Sequence, residues 1–172
     1  MNLANRLTLL RVILVPVFVV FMMCDITPYD KWIALAIFII ASLTDFADGK
    51  IARNHNLITD FGKFMDPLAD KVLVAAALLF LIQAGRVEAW LVIIIITREY
   101  AISIIRAIAA TNGKVIAASG GGKIKTVTQM LAIIMLLLSM PFGDIMLYVC
   151  VALTLYSGVE YIWNNRELIA ER

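Results

Sequence analysis

Residues 42–71 read SLTDFADGKIARNHNLITDFGKFMDPLADK. Within them Asp45, Asp48, Asp66 and Asp70 interrupt a chain that is apolar enough on both sides to enter a bilayer. An ionisable group inside a membrane span is costly and calls for a partner. Four carboxylates in one place call for a concentrated counter-charge, and a pair of divalent metal ions supplies it most simply. The two pairs are spaced three and four residues apart, so each pair shares a helix face. Oxygen ligands unaccompanied by His or Cys suit Mg2+, Mn2+ or Ca2+ better than zinc. Two such ions could clamp both the attacking and the leaving oxygen of a phosphoryl group.

The 172 residues are 62% hydrophobic and 16% charged, against about 45–50% and about 25% in soluble domains. A bilayer core takes about 20 apolar residues per helix. Six stretches approach that length: 7–24, 32–53, 64–84, 89–109, 125–140 and 145–163. They take up most of the chain. The expected architecture is therefore all-α and integral to the membrane. It is one domain over residues 1–172, with six transmembrane helices around a polar, metal-containing cavity near the cytoplasmic interface. Arg11 interrupts the first stretch and no small-residue cleavage site follows Cys24, so it reads as a retained helix and not a signal peptide. Cys24 and Cys150 lie in or at the end of apolar stretches and read as buried, inert thiols.

With the amino terminus inside, thirteen Lys and Arg residues fall on the cytoplasmic side and two, Lys31 and Arg86, outside. That bias places both termini in the cytoplasm. Alternating helices also bring charges to one depth. Arg11 lies 13 residues from Cys24, Asp45 lies 14 from Lys31, Asp70 lies 14 from Ala84 and Lys125 lies 16 from Pro141. At about 1.5 Å per residue, all are roughly 20–24 Å from the outer ends of their helices. A polar cavity just beneath the cytoplasmic interface suits a lipid whose tails stay in the bilayer while its head group enters sideways.

Gly49 and Ala52 continue the stripe of Asp45 and Asp48. Small residues in membrane helices usually serve helix packing, and Arg53 could bind a phosphate or snorkel to the interface. The whole pattern is more specific than its parts. Asp45-x-x-Asp48-Gly49-x-x-Ala52-Arg53, then Gly62, Asp66 and Asp70 at their spacings, resembles the CDP-alcohol phosphotransferase motif, with all eight fixed positions present. The resemblance implies two divalent cations, Mg2+ or Mn2+, bound by Asp45, Asp48, Asp66 and Asp70. It makes Asp70 the base that deprotonates the incoming alcohol, and it lines the CDP pocket with Gly49, Ala52, Arg53 and Gly62. It also implies a homodimer.

Further segments are similar to those family members that transfer a phosphatidyl group from CDP-diacylglycerol to glycerol 3-phosphate. They are NRLTLLR from Asn5, DFGKFMDPLADK, Thr97-Arg98-Glu99, and GKIKTVTQM from Gly122. A dianionic acceptor needs cationic partners, and Arg11, Arg98, Lys123 and Lys125 are the candidates. Arg98 lies 10 residues from Glu88, about mid-membrane, where an arginine is either ion-paired or substrate-binding. Three glycines, Gly120 to Gly122, precede Lys123 where bulkier residues are expected, and loosen the start of the fifth helix.

Other residues take plainer readings. His55 is a solvated loop residue beside Asn54 and Asn56, Asp60 is a loop or cap carboxylate, and Pro67 marks the first turn of the third helix. Trp32, Trp90 and Trp163 stand near span ends as interfacial anchors. Other acceptors within the family would be phosphatidylglycerol, inositol phosphate or serine. A cation transporter is a different class, disfavoured because the acidic cluster is one-sided and no internal repeat is evident. Expected partners are the two substrates, membrane lipid and a second copy of the chain, not nucleic acid. The expected location is a bacterial cytoplasmic membrane.

Overall fold

The computed structural model describes the backbone of residues 3–24, 26–55, 60–111, 116 and 120–166, and the side chains of 9–24, 26–44, 71–110, 116 and 120–166. Six helices follow in order: α1 (Leu3–Met23), α2 (Asp30–His55), α3 (Asp60–Gln83), α4 (Ala89–Thr111), α5 (Gly120–Leu137) and α6 (Gly143–Asn164). The chain forms two compact units, Met1–Phe80 and Leu81–Arg172.

In the first unit α1 packs on α2. Arg11, Val15 and Phe18 recur at helical spacing and form the buried stripe of α1, while Ala34, Phe38, Ala41 and Ser42 form that of α2. The Phe18 ring joins them, 6.2 Å from Phe38 and edge-on to Phe80 at 6.4 Å. In the second unit α6 packs on both α4 and α5. Its core includes Ile95 and Ile102 of α4, Ala132 and Ile133 of α5, and Leu147 and Cys150 of α6.

Large apolar side chains lie on the outside of the helices as well as in their core. Arg11 and Lys125 are buried, at 1% and 0% exposure, whereas Ile13, Ile40, Ile93, Ile104, Val127 and Val159 all face outward. Apolar outer faces of this kind, with charged groups buried, suit a hydrocarbon solvent. Among the described residues one helix, Gly143–Asn164, is long and apolar enough to cross a membrane by length and composition, with a mean hydropathy of 1.7. Leu9–Met23 and Lys71–Gln83 are shorter apolar helices. Trp32, Trp90 and Trp163 are exposed near helix ends, in keeping with their expected place.

Turn chemistry closes the helices at defined points. After α3 the Arg86 N–H donates to Leu81 O at 2.9 Å and the Gly85 N–H to Ile82 O at 2.9 Å, a Schellman motif with Gly85 at φ 67°. After α5 the same two bonds run from Met140 to Met135 and from Ser139 to Leu136, with Ser139 at φ 55°. The Arg86 guanidinium hydrogen-bonds the Ser139 hydroxyl and ties the two turns together.

Several local expectations need correction. α3 begins at Asp60, so Pro67 lies about two turns inside it and not in its first turn. α2 runs through His55, which makes His55 its last residue and not a loop residue. α5 begins at Gly120, five residues before the expected Lys125, so the three glycines form its first turn instead of a loose approach. Cys150 is buried as expected, but Cys24 is exposed.

Candidate functional site

The acidic motif occupies the C-terminal half of α2, with Asp45 and Asp48, and the N-terminal half of α3, with Asp66 and Asp70. Their side chains, with those of Gly49, Ala52, Arg53 and Gly62, lie outside the described ones. The helical backbone fixes the register of these positions. Phe38, Ala41 and Ser42 are the buried stripe of α2, and steps of three and four residues carry it on to Asp45 and Asp48. On α3, Leu73 and Ala77 are buried, at 1% and 0% exposure, and the same steps backward reach Asp70 and Asp66. Both pairs therefore stand in helical register with the buried positions of their helix.

Two observations bear on whether a metal fits here. The donors are carboxylates only, the chemistry that hard divalent cations select. Ser42, one turn before Asp45, has a buried hydroxyl oxygen with no hydrogen-bond partner among the described residues. Elsewhere, among the described residues, no group of three or more His, Cys, Asp or Glu could hold a metal.

The second unit holds a polar cluster made by α4, α5 and α6. Lys125 of α5 is fully buried and its ammonium pairs with Glu99 Oε1 of α4. The same oxygen lies 4.0 Å from Arg98 Nη1. Arg98 Nη2 donates to Ser157 Oγ of α6 at 2.9 Å, and its buried Nε has no hydrogen-bond partner among the described residues. Gly158 makes this approach possible, since a Cβ there would stand 3.3 Å from Arg98 Cγ. Further along the same helices Arg106 Nε donates to Tyr161 Oη at 3.3 Å, with its guanidinium 5.5 Å from the Tyr161 ring centre. Glu160 reaches over the first turn of α5, where its buried Oε2 has no partner among the described residues. A Cβ on Gly121 would fall 2.6 Å from that oxygen.

Of the four basic candidates, the structure brings two together. Arg98 and Lys125 come together through Glu99. Lys123 lies on the exposed side of α5, and Arg11 is buried in the first unit. Sequence reasoning saw Glu99 only as one partner for Arg98, and missed Ser157, Gly158, Glu160 and Tyr161. The available signal was a Ser-Gly pair and a glutamate inside an otherwise apolar sixth stretch.

The described residues are helical, with the four motif aspartates on two successive helices and a buried lysine paired with a glutamate across two others. Residues 1–156 match the family model described as CDP-alcohol phosphatidyltransferase, and the chain belongs to that family. Membership makes it a membrane-associated phosphatidyltransferase of a generally divalent-cation-dependent group. A protein of Bacillus subtilis (strain 168) named CDP-diacylglycerol–glycerol-3-phosphate 3-phosphatidyltransferase is 43% identical, covering 98% of this chain and 97% of its own. Proteins of the same name from Sodalis glossinidius and Rickettsia bellii are 37% and 34% identical, covering 99% and 93% of this chain and 98% and 93% of their own.

Proposed function

We propose that the chain transfers the phosphatidyl group of CDP-diacylglycerol to glycerol 3-phosphate, forming phosphatidylglycerophosphate and releasing CMP. The observation that carries this reading is the intact eight-residue motif in a chain that aligns over nearly its full length with relatives of that name. A primary hydroxyl oxygen of glycerol 3-phosphate bonds to the lipid-side phosphorus. The bond from that phosphorus to CMP breaks, CMP takes the electron pair, and the hydroxyl proton passes to Asp70. Two cations, Mg2+ or Mn2+, held by Asp45, Asp48, Asp66 and Asp70, supply the positive charge that offsets the phosphates when bound. Gly49 and Ala52 let the cytidine diphosphate approach the α2 backbone, Arg53 pairs with a phosphate, and Gly62 completes the pocket.

The phosphate of the acceptor falls to Arg98 and Lys125, the two buried or half-buried cations that share one carboxylate oxygen. Lys123 and Arg11 remain secondary candidates. We further propose one functional domain of six membrane-crossing helices in a bacterial cytoplasmic membrane, with both termini in the cytoplasm, working as a homodimer amid membrane lipid.

The direct test is CMP release by the purified protein with CDP-diacylglycerol and Mg2+ or Mn2+, offering each acceptor separately. Release only with glycerol 3-phosphate, blocked by EDTA, supports the reading. Release only with phosphatidylglycerol, inositol phosphate or serine overturns the acceptor. Metal flux across sealed vesicles without CMP release would instead favour a transporter.

A further inference from the structure

We propose that Glu99 is a positioning residue for the acceptor phosphate: it fixes Lys125 and Arg98 as a preformed cationic pair. The inference rests on glycerol 3-phosphate being the acceptor and on those two cations binding its phosphate. A buried ammonium needs a counter-charge at close range, because the interior does not solvate it. Lys125 is 0% exposed, and Glu99 is a carboxylate that meets it directly.

One oxygen of Glu99 serves cations from two helices. Lys125 contacts Oε1 directly and Arg98 Nη1 stands 4.0 Å from it. Arg98 is then held on two further sides, by its bond to Ser157 Oγ at 2.9 Å and by the bare backbone of Gly158. With its orientation set, the guanidinium keeps one buried donor, Nε, without a partner among the described residues. Most buried donors in a folded protein have a partner, so one left without asks for a reason. A fixed guanidinium with a spare N–H is what a dianionic phosphate completes, through a charge-assisted hydrogen bond.

Glu99 in this arrangement does not touch the acceptor. It acts through the two cations, by holding them on one spot before the phosphate arrives, so that binding costs less reorganisation. Replacing its charge should therefore weaken acceptor binding and leave the lipid substrate's binding and the transfer step alone.

The test uses the full chain in mixed micelles with CDP-diacylglycerol, Mg2+ and varied glycerol 3-phosphate. Glu99→Gln keeps the size and an oxygen for Lys125 but removes the charge. It is expected to raise the KM for glycerol 3-phosphate about tenfold, with kcat and the KM for CDP-diacylglycerol within about twofold. Glu99→Asp is expected to recover part of that loss, and Glu99→Gln should add little to Lys125→Met, because the two act as one unit. An unchanged KM for glycerol 3-phosphate in both Glu99 variants overturns the inference. So does a loss that falls equally on kcat and both KM values together with a lowered Tm, the mark of a helix clamp. If the unaltered protein releases CMP only with a different acceptor, the acceptor reading itself fails. If the unaltered protein uses glycerol 3-phosphate and the variants match it, only the role of Glu99 fails.

Discussion

The Arg98 guanidinium donates from Nη2 to Ser157 Oγ at 2.9 Å, binding α4 to α6 within the polar cluster that also holds Glu99 and Lys125. The bond sets the plane of the guanidinium and leaves the buried Nε unpartnered among the described residues. Hydrogen bonds to charged groups contribute about 1.5–3 kcal/mol, which corresponds to about 10–100-fold in affinity. Arg98→Ala should accordingly raise the KM for glycerol 3-phosphate by that factor. Arg98→Lys should rescue little, because an ammonium cannot bond Ser157 and also present a second fixed donor. Initial-rate kinetics with varied acceptor give the answer, and an Arg98→Ala enzyme with the KM of the unaltered protein would remove Arg98 from the acceptor site.

The acidic motif makes a separate prediction. Asp70→Asn keeps size and shape and removes the group assigned as base, so CMP release should fall by about 10²–10⁴-fold. Asp66→Asn should also abolish turnover, through the loss of a metal ligand. Both variants should extract and elute from a sizing column like the unaltered protein. EDTA should silence the unaltered enzyme, and added Mg2+ or Mn2+ should restore it. A fully active Asp70→Asn protein would sink the proposed proton transfer.

Gly121 faces Glu160 with no room for a side chain. A Cβ there would stand 2.6 Å from Glu160 Oε2 and 3.3 Å from Ser157 Cβ. Gly121→Ala should therefore lower the Tm by pushing Glu160 off the first turn of α5. The carboxylate is the flexible end of a side chain, so Glu160→Ala should relieve most of the strain. A double-mutant cycle on thermal unfolding should show coupling of about 0.5–3 kcal/mol, and strict additivity would mean that the two do not meet.

The helices were legible in the sequence because each carries a long apolar run, exposed faces included. Their ends were less so. The helix carrying Pro67 starts at Asp60, since polar residues at a helix end carry no hydropathy signal yet continue the same hydrogen-bonded ladder. The motif aspartates stood out as charges in an apolar context. Glu99 and Glu160 did not, for opposite reasons. Glu99 sits next to Arg98 in sequence, which suggests a local pair, whereas its close partner is Lys125, 26 residues away on another helix. Glu160 matters through its approach to Gly121, a contact between distant positions that no local spacing encodes.

Asp30 offers a test with a definite pH sign. Its carboxylate accepts from the Ile26 N–H at 2.6 Å, from the Thr27 N–H at 3.0 Å and from the Thr27 hydroxyl at 2.7 Å, which closes the turn leading into α2. Burial opposes its charge, but the bonds from Thr27 and Ile26 outweigh that and hold the carboxyl below its ordinary value. A depressed folded-state value means that the stabilisation is fully present above the ordinary aspartate range. It is lost as the pH falls through the lowered value, where the folded state too takes up the proton. Asp30→Asn keeps the shape but supplies one neutral acceptor oxygen for bonds that now converge on a charged pair. The Tm gap between the unaltered protein and Asp30→Asn should be constant from neutral pH down to the ordinary carboxylate range and should close below it. Thermal unfolding in detergent across that range measures it, and a gap that widens toward acid would show that the Thr27 and Ile26 bonds do not favour the ionised carboxylate.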